Sequence, residues 1–261
     1  MTEDKDRLHV LQVTDCHLLP SPDATLLGVR TADSLAAVLG AACTERTPDA
    51  VLATGDIAQL PSPATYELFL TTLARYYTGP LLCVPGNHDH GVTLSGALPT
   101  EDLELAGWRL AGVDTHEDDV VGGTVHASEL SRLRATLQGC AAHQRVLVAG
   151  HHCPVEIGCS WLDVHRIDNG DDLLDVLKAA DASGYVFGHI HQEVEANPGV
   201  PIFGTPSTCF QFSDDSPTFG IDTAKPGYRW LTLERDGSIE TVVRRADDYE
   251  LNLDFNDRAN R

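Results

Sequence analysis

Basic residues are scarce in this 261-residue sequence. It contains 18 Lys and Arg against 39 Asp and Glu, a formal net charge of −21 at pH 7. Only three of the basic residues are lysines. Proteins that bind nucleic acids or anionic membranes need a basic surface, so we expect neither kind of partner. Strong acidity with few lysines suggests a salt-adapted protein that stays soluble through self-repulsion.

Long hydrophobic runs and cysteine pairs are also missing. The longest apolar stretches, such as residues 146–150, are strand-sized, so we expect no transmembrane helix. The first seven residues are acidic and lead directly into a strand, unlike a secretory signal peptide. The seven cysteines are odd in number and form no Cys-x-x-Cys pair. We therefore expect no disulfide framework and a cytoplasmic location.

Short apolar strands alternate with amphipathic helices through much of the chain. Strands are predicted at 8–13, 50–53, 81–84, 108–113, 145–149 and 185–187, and later at 200–203, 208–212, 228–234 and 238–244. Helices are predicted around Leu35, Val38, Leu39 and Ala42, from Ser62-Pro63 to about Tyr76, and at 128–137 and 171–180. This pattern predicts one α/β domain over residues 1–245, followed by a polar surface tail at 246–261.

Polar residues follow five of these strands at the point where each strand ends. They are Asp15, His17, Asp56, Asn87, His88, His151, His152, His189 and His191. Open α/β sheets bind their ligands at the carboxyl ends of strands. Carboxylate, imidazole and amide groups together suit iron, manganese or zinc, and there are enough of them for two ions.

Two of these groups have the same spacing, with one residue between Asp15 and His17 and between His189 and His191. An extended backbone would send both side chains of each pair to the same face. Facing pairs with a carboxylate between them would make a bridged dinuclear centre, which clamps the oxygens of a phosphoryl displacement. A single Asp-x-His or Gly-Asp turn occurs often by chance, so the ordered set of five carries the prediction.

The ordered motifs resemble those of the calcineurin-like metallophosphoesterases, over about residues 9–245. The motifs are Asp15-Cys16-His17, Gly55-Asp56, Gly86-Asn87-His88-Asp89, a histidine before Pro154, and Gly188-His189-Ile190-His191. Segments 158–163, 189–193, 205–209 and 226–229 resemble one subgroup, the bacterial class III 3′,5′-cyclic-AMP phosphodiesterases. The resemblance implies an α/β fold, a four-layer α/β/β/α sandwich of two mixed β-sheets.

The resemblance also implies a role for each residue at a centre of two divalent ions, Fe²⁺, Mn²⁺ or Zn²⁺. The first ion would bind Asp15, His17 and His191, and the second would bind Asn87, His189 and one histidine of the 151–152 pair. Asp56 would bridge the ions, and His88 would lie beside the phosphate. The substrate site would comprise His17, Asp56, Asn87, His88, His151, His189 and His191. Spacing back from Pro154 favours His152 as the ligand, whereas position after the strand favours His151, so both remain candidates.

The reaction implied is hydrolysis of 3′,5′-cyclic AMP to 5′-AMP, in which a metal-bridging hydroxide attacks phosphorus in line. His88 and Asp56 are the catalytic candidates, with His88 stabilising the transition state or protonating the leaving 3′-oxygen. The alternatives are a broader phosphodiesterase or phosphatase acting on glycerophosphodiesters or nucleotides, and a non-catalytic metal-binding scaffold. The expected partner is a small molecule, and apolar strands near the C-terminus suggest a homodimer.

Overall fold

Two β-sheets form the centre of the computed structural model, which describes residues 7–141 and 143–256. The helices of this range are α1 (Thr31–Glu45), α2 (Pro63–Leu73), α3 (Gly91–Ala97), α4 (Ala127–Gln138), α5 (Ser160–Asp163) and α6 (Gly170–Ala179). The first strands are β1 (Arg7–Val13), β2 (Thr25–Leu26), β3 (Val29–Arg30), β4 (Ala50–Thr54), β5 (Leu81–Val84), β6 (Leu103–Leu105), β7 (Trp108–Gly112) and β8 (Arg145–Ala149). The later strands are β9 (Gly184–Phe187), β10 (Val194–Ala196), β11 (Ile202–Gly204), β12 (Gln211–Phe212), β13 (Ile221–Asp222), β14 (Gly227–Glu234) and β15 (Ile239–Arg245).

Both large sheets are mixed. The first has the order β15-β14-β1-β4-β5, in which β1, β4 and β5 run parallel and β14 and β15 are antiparallel to their neighbours. The second has the order β10-β11-β9-β8-β7-β6, with parallel central strands and an antiparallel strand at each edge. Parallel strands end at the same edge of a sheet, so the ends of β1, β4 and β5 lie together.

The two sheets pack face to face, and helices cover both outer faces. Val10 of β1 lies in the core between the sheets, whereas the next residue, Leu11, packs outward with the helices. Helices α1 and α2 share the core of the first sheet, and α4 and α6 share that of the second. Successive side chains of a strand point to opposite faces, so a strand covered on both sides reads as a continuous apolar run. The predicted four-layer α/β/β/α sandwich is confirmed.

The predicted helices form close to their expected bounds. The four positions predicted to share one face of α1, residues 35, 38, 39 and 42, are fully buried. The Ser62 hydroxyl caps α2 by accepting a hydrogen bond from the Thr65 N–H at 3.1 Å. This helix ends at Leu73, and residues 74–76, predicted to be helical, form turns.

The strand predicted at 208–212 is shorter than expected and covers only β12. The Ser207 hydroxyl donates to the Asp15 carbonyl at 2.8 Å and accepts from the Cys209 N–H. The Ser34 hydroxyl donates to the Thr208 carbonyl at 2.6 Å. The Cys209 N–H and the Thr208 carbonyl are thus bonded to hydroxyls, and a strand would need these groups for hydrogen bonds to a neighbouring strand.

Residues 249–254 of the predicted tail lie against the β2–β3 hairpin, whereas Ala246 is buried in the core that α1 and α2 share with the first sheet. Leu251 and Leu253 pack on the apolar residues of the hairpin, and the Asp254 N–H donates to the Leu27 carbonyl at 2.7 Å. Residues 257–261 of that tail, and residues 1–6 of the segment judged not to be a signal peptide, lie outside the described residues. Within the described ranges, no helix has the length and apolar character needed to cross a membrane.

Candidate metal centre

The structure brings all nine candidate residues together, although they come from both sheets. They follow the carboxyl ends of β1, β4 and β5 in one sheet and of β8 and β9 in the other. Four groups have ligand atoms within 4.8 Å of one another: Asp15/His17/His191, His17/Asp56/His88, Asp15/Asp56/His151 and His151/His152/His189. The ninth residue, Asn87, joins them through hydrogen bonds described below.

The backbone reaches this arrangement differently from the prediction. Nine non-glycine residues of the described ranges have positive φ, and five of them are Asp15 (52°), His17 (46°), Asp56 (47°), His189 (66°) and His191 (51°). The expectation of an extended backbone at the two paired motifs is therefore wrong. Left-handed conformations cost an L-residue about 1–3 kcal/mol, so surrounding contacts must hold these bends. The Asp15 and His17 N–H groups donate to the Gly55 and Asp56 carbonyls at 3.0 and 2.9 Å, which fixes the two loops side by side.

The first group of ligand atoms surrounds His191. Its Nε2 lies 3.2 Å from Nε2 of His17 and 3.3 Å from Oδ1 of Asp15. Its Nδ1 lies 2.7 Å from the Phe210 carbonyl, which only accepts, so Nδ1 carries the proton and Nε2 keeps its lone pair. A lone pair that faces a carboxylate and another imidazole nitrogen at this range suits a cation between them. Hydrogen bonds from the distal ring nitrogen are typical of metal-ligating histidines.

The second group surrounds Asn87. Its Oδ1 lies 3.2 Å from Nε2 of His151 and 3.0 Å from Nδ1 of His189. Nδ1 of His151 lies 2.8 Å from the Thr54 carbonyl and donates to it, so Nε2 is the nitrogen that faces the centre and can bind an ion once it has lost its proton. Oδ2 of Asp56 lies 3.5 Å from that Nε2 and 3.9 Å from Nε2 of His17, so this carboxylate lies between the two groups.

His152 occupies a different place from its neighbour. Its Nε2 lies 3.2 Å from the Val121 carbonyl, and its Nδ1 lies 2.8 Å from the Thr115 hydroxyl. The Val121 carbonyl accepts a hydrogen bond from the Nε2–H, and the Thr115 hydroxyl can donate one to Nδ1. Both ring nitrogens of His152 therefore have protein partners. Its ring centroid lies 4.5 Å from that of His189, and none of the ligand groups that contain a carboxylate includes His152. The geometry therefore favours His151 as a ligand and His152 as support behind it.

Both carboxyl groups of the centre are held in the ionised form. Burial raises the pKa of Asp56, but nearby His151 and His88 outweigh burial and hold that pKa well below its usual value. Burial also raises the pKa of Asp15, and His191 and His151 hold it below its usual value. Ionised carboxylates are the form that binds a metal ion.

Burial holds the imidazoles of His17 and His189 neutral. Burial lowers the pKa of His17 to about 3 and lowers that of His189 well below its usual value, with His152 adding to the second effect. His151 differs, because the charge of Asp56 overcomes burial and raises its pKa to about 9. A cation at the centre would compete directly with that proton, so ion binding releases it.

His88 lies at the opening of the centre. Its backbone N–H donates to Oδ1 of Asp56 at 2.8 Å. Its ring packs edge-on against that of His17, with the ring centroids 5.0 Å apart. The side chain is half-buried and lines a cavity of about 220 Å³. This cavity is lined by His17, Asp56, Asn87, His88, Val121, Trp161, Leu162, His165, His189, His191, Phe212 and Phe219.

Asp89 is a structural residue of the centre to which sequence reasoning gave no role. Its carboxylate accepts hydrogen bonds from the N–H groups of Ile57, Ala58 and Gly86 at 3.0–3.1 Å and from the Tyr66 hydroxyl at 3.0 Å. It therefore ties the loop after β4 to the loop after β5. In the sequence, the one indication of this role is that Asp89 directly follows His88 in the motif Gly86-Asn87-His88-Asp89.

Known proteins resemble this chain in sequence. The sequence profile of the calcineurin-like phosphoesterase family matches residues 8–193. A Vibrio vulnificus protein named 3′,5′-cyclic adenosine monophosphate phosphodiesterase CpdA is 34% identical, covering 94% of this chain and 92% of its own. The Escherichia coli K12 protein of the same name is 35% identical, covering 95% and 93%.

Solved structures agree at the level of the fold. A dimetal phosphatase from Danio rerio superposes with a TM-score of 0.58 at 14% identity, covering 90% of this chain and 98% of that one. Purple acid phosphatase PPD1 from yellow lupin gives 0.62 at 13% identity, covering 95% and 53%. The family recognised from the five motifs is confirmed: this chain belongs to the calcineurin-like phosphoesterase family.

Proposed function

We propose that this protein hydrolyses 3′,5′-cyclic AMP to 5′-AMP. The observation that carries the proposal is the pair of ligand groups that share Asp56 at the base of one open cavity. Two adjacent metal sites of this kind suit displacement at phosphorus. The relatives named as cyclic-AMP phosphodiesterases, 34–35% identical over more than nine-tenths of the chain, support cyclic AMP over other phosphate esters.

The residues fit a centre of two divalent ions. Asp15, His17 and His191 would hold one ion, Asn87, His151 and His189 the other, and Asp56 would contact both. The fit rests on nitrogen lone pairs that hydrogen bonds to the Phe210 and Thr54 carbonyls turn toward ionised carboxylates. This nitrogen and oxygen donor set, without sulfur, suits Fe²⁺, Mn²⁺ or Zn²⁺. When bound, such ions lower the pKa of water to about 7 and neutralise charge on the phosphate.

Asn87 orients the phosphate. Its Oδ1 faces the imidazoles of His151 and His189, so its amide nitrogen is the end free to donate. A donated hydrogen bond to a non-bridging phosphate oxygen would strengthen as charge develops on that oxygen.

His88 is placed to handle the leaving group. The bond from its N–H to Asp56 fixes its backbone, while its ring lines the cavity that the substrate must enter. Cleavage of the bond between phosphorus and the 3′-oxygen leaves an alkoxide that needs a proton. His88 would supply that proton as a general acid.

The proposal is tested by assaying cyclic AMP, cyclic GMP, 2′,3′-cyclic AMP and bis(p-nitrophenyl) phosphate side by side with Mn²⁺ or Fe²⁺. A clear preference in kcat/KM for cyclic AMP is expected, and equal rates on all four would refute the assignment in favour of a broad phosphodiesterase. Asp56→Asn should abolish turnover and metal binding, whereas Asp23→Asn, at an exposed position outside the centre, should change neither. Fewer than one metal ion per reconstituted chain, with no turnover, would favour a non-catalytic scaffold.

A further inference from the structure

The cavity above the metal centre has an apolar side built from three rings. We call Trp161, Phe212 and Phe219 the aromatic cluster. The ring of Trp161 lies 5.1 Å from that of Phe212 and 5.5 Å from that of Phe219, both edge-on, and the two phenylalanine rings lie 5.7 Å apart. These distances and angles are typical of favourable aromatic packing, so the rings form one surface.

The aromatic cluster begins directly at the metal centre. The ring of Phe212 stacks on that of His191 with centroids 4.0 Å apart and planes inclined by 17°. One cavity is lined both by the aromatic cluster and by five of the candidate metal ligands: His17, Asp56, Asn87, His189 and His191. A substrate whose phosphate lies at the ligands therefore extends its remaining atoms along these rings.

The outer part of this surface stays open to solvent. Phe219 is 58% exposed and Val121, which lines the same cavity, is 51% exposed. Isolated exposed apolar residues are ordinary, but these two come from separate loops and line one cavity beside a polar centre. The Trp161 indole N–H donates to the Ser213 carbonyl at 3.2 Å, and this bond ties the ring to the loop that follows Phe212.

The chemistry of this side selects a flat, uncharged group. Among the described residues, no lysine or arginine lines the cavity, so a second phosphate finds no cation there. Aromatic side chains bind nucleobases by stacking, which tolerates any base because each has a π-face. His165, on the same side, adds a polar ring that can meet the edge of a base.

We propose that the aromatic cluster is the nucleobase subsite of this enzyme, with Phe219 as the principal stacking surface. The inference rests on the proposed hydrolysis of a cyclic nucleotide and adds the residues that would recognise its base. Purines present a larger face than pyrimidines, so the subsite favours purine nucleotides. Phe219 is thus a specificity-determining residue, separate from the groups that act on phosphorus.

The first test compares substrates with and without a base. Phe219→Ala should lower the ratio of kcat/KM for cyclic AMP to kcat/KM for methyl riboside 3,5-cyclic phosphate by about tenfold to a hundredfold. Phe219→Trp should restore that ratio. Phe255→Ala is the matched control, because Phe255 is 56% exposed but lies far along the chain and outside the cavity. An unchanged ratio in Phe219→Ala would overturn the proposal.

The second test measures binding without turnover. Trp108 and Trp230 are only 1% exposed, so Trp161 is the tryptophan that a ligand can reach. Titrating the Mn²⁺-loaded protein with 5′-AMP should quench tryptophan fluorescence, and ribose 5-phosphate should not. The quenching should disappear in Trp161→Phe, and Phe219→Ala should weaken 5′-AMP binding about tenfold or more.

The two proposals fail in different ways. Quenching by 5′-AMP without hydrolysis of cyclic AMP would refute the proposed function and leave the nucleobase subsite standing. Hydrolysis of cyclic AMP with equal binding of 5′-AMP and ribose 5-phosphate would refute the subsite and leave the function standing. Absence of both binding and hydrolysis would refute both.

Discussion

Replacing Asp89 by alanine is expected to destabilise the fold and to weaken metal binding together. The carboxylate is 6% exposed and accepts four hydrogen bonds, three of them from backbone N–H groups. Burial, and then the charge of Asp56, raise the pKa of Asp89 to about 6, so the group is mostly ionised at pH 7. Its three backbone partners lie in the loops that carry Asp56 and Asn87, so one side chain sets the spacing of both loops.

The size of the effect follows from the groups left without an acceptor. A buried donor without a partner costs about 1–3 kcal/mol, and alanine leaves four donors without an acceptor: the N–H groups of Ile57, Ala58 and Gly86 and the Tyr66 hydroxyl. Alanine also removes a carboxylate whose burial is unfavourable, and this gain offsets part of the cost. We therefore expect the free energy of unfolding to fall by about 3–6 kcal/mol. That is a large part of the about 5–15 kcal/mol that stabilises a typical domain. In Asp89→Asn the amide NH₂ at the Oδ1 position faces the Ala58 N–H and the Tyr66 hydroxyl; the hydroxyl can accept instead, so one N–H is left unpaired at about 1–3 kcal/mol.

Urea unfolding and Mn²⁺ titration calorimetry at pH 7 measure the two consequences. Tyr66→Phe is the matched control, since it removes one of the four bonds and leaves all three N–H groups paired, for about 0.5–1.5 kcal/mol. The reasoning is refuted if Asp89→Ala unfolds within about 1 kcal/mol of the parent protein. It is also refuted if Mn²⁺ affinity stays unchanged in a folded Asp89 variant.

Three further predictions concern histidines. His151→Ala should bind fewer than two metal ions per chain by calorimetry, whereas His152→Ala should bind both with affinity lowered by about 10–100-fold; the reverse result would make His152 the ligand. His88→Ala should keep both ions and lower kcat by roughly 10²–10⁴, and full activity would exclude a general acid at this position. Hydrogen bonding to Asp114 outweighs burial and raises the pKa of His116 to about 9, so its stabilising contribution is complete below pH 6.5 and is lost as the pH rises through 9. Urea unfolding should show a decline of about 1–2 kcal/mol over this range, after allowance for the exposed Asp118 partner, and His116→Asn should lack it.

The helices and the central strands were predictable because their signals are local. The apolar face of α1 and the serine cap of α2 lie within single helical turns, and periodicity or capping chemistry reports both. Short apolar runs flanked by turn residues marked β1, β4, β5, β8 and β9 for the same reason. Short elements such as β2, β13 and α5 carry too few residues for any period to show.

The candidate metal-binding residues were also visible in the sequence, but their geometry was not. The order of the motifs indicated which side chains would meet at the strand ends. The positive φ of Asp15 and His191 depends on partners in other loops, such as the Gly55 carbonyl and the Phe210 carbonyl. No pattern within three or four residues reports such contacts, which explains why an extended backbone was the wrong expectation.

The sequence by itself therefore determined the α/β class, the family and the candidate metal donors, because burial periodicity and side-chain chemistry are properties of neighbouring residues. The four-layer arrangement followed from the resemblance to the family. Tertiary structure decided which histidine of the adjacent pair His151 and His152 has a ring nitrogen available to bind a metal ion. His151 and His152 are adjacent, but one meets the Thr54 carbonyl, 97 residues away, and the other meets Thr115 and Val121. Tertiary structure also brought Phe212 and Phe219 against Trp161. Such pairings depend on how the two sheets stack, and hydrogen bonds between distant residues become definite only when the sandwich has closed.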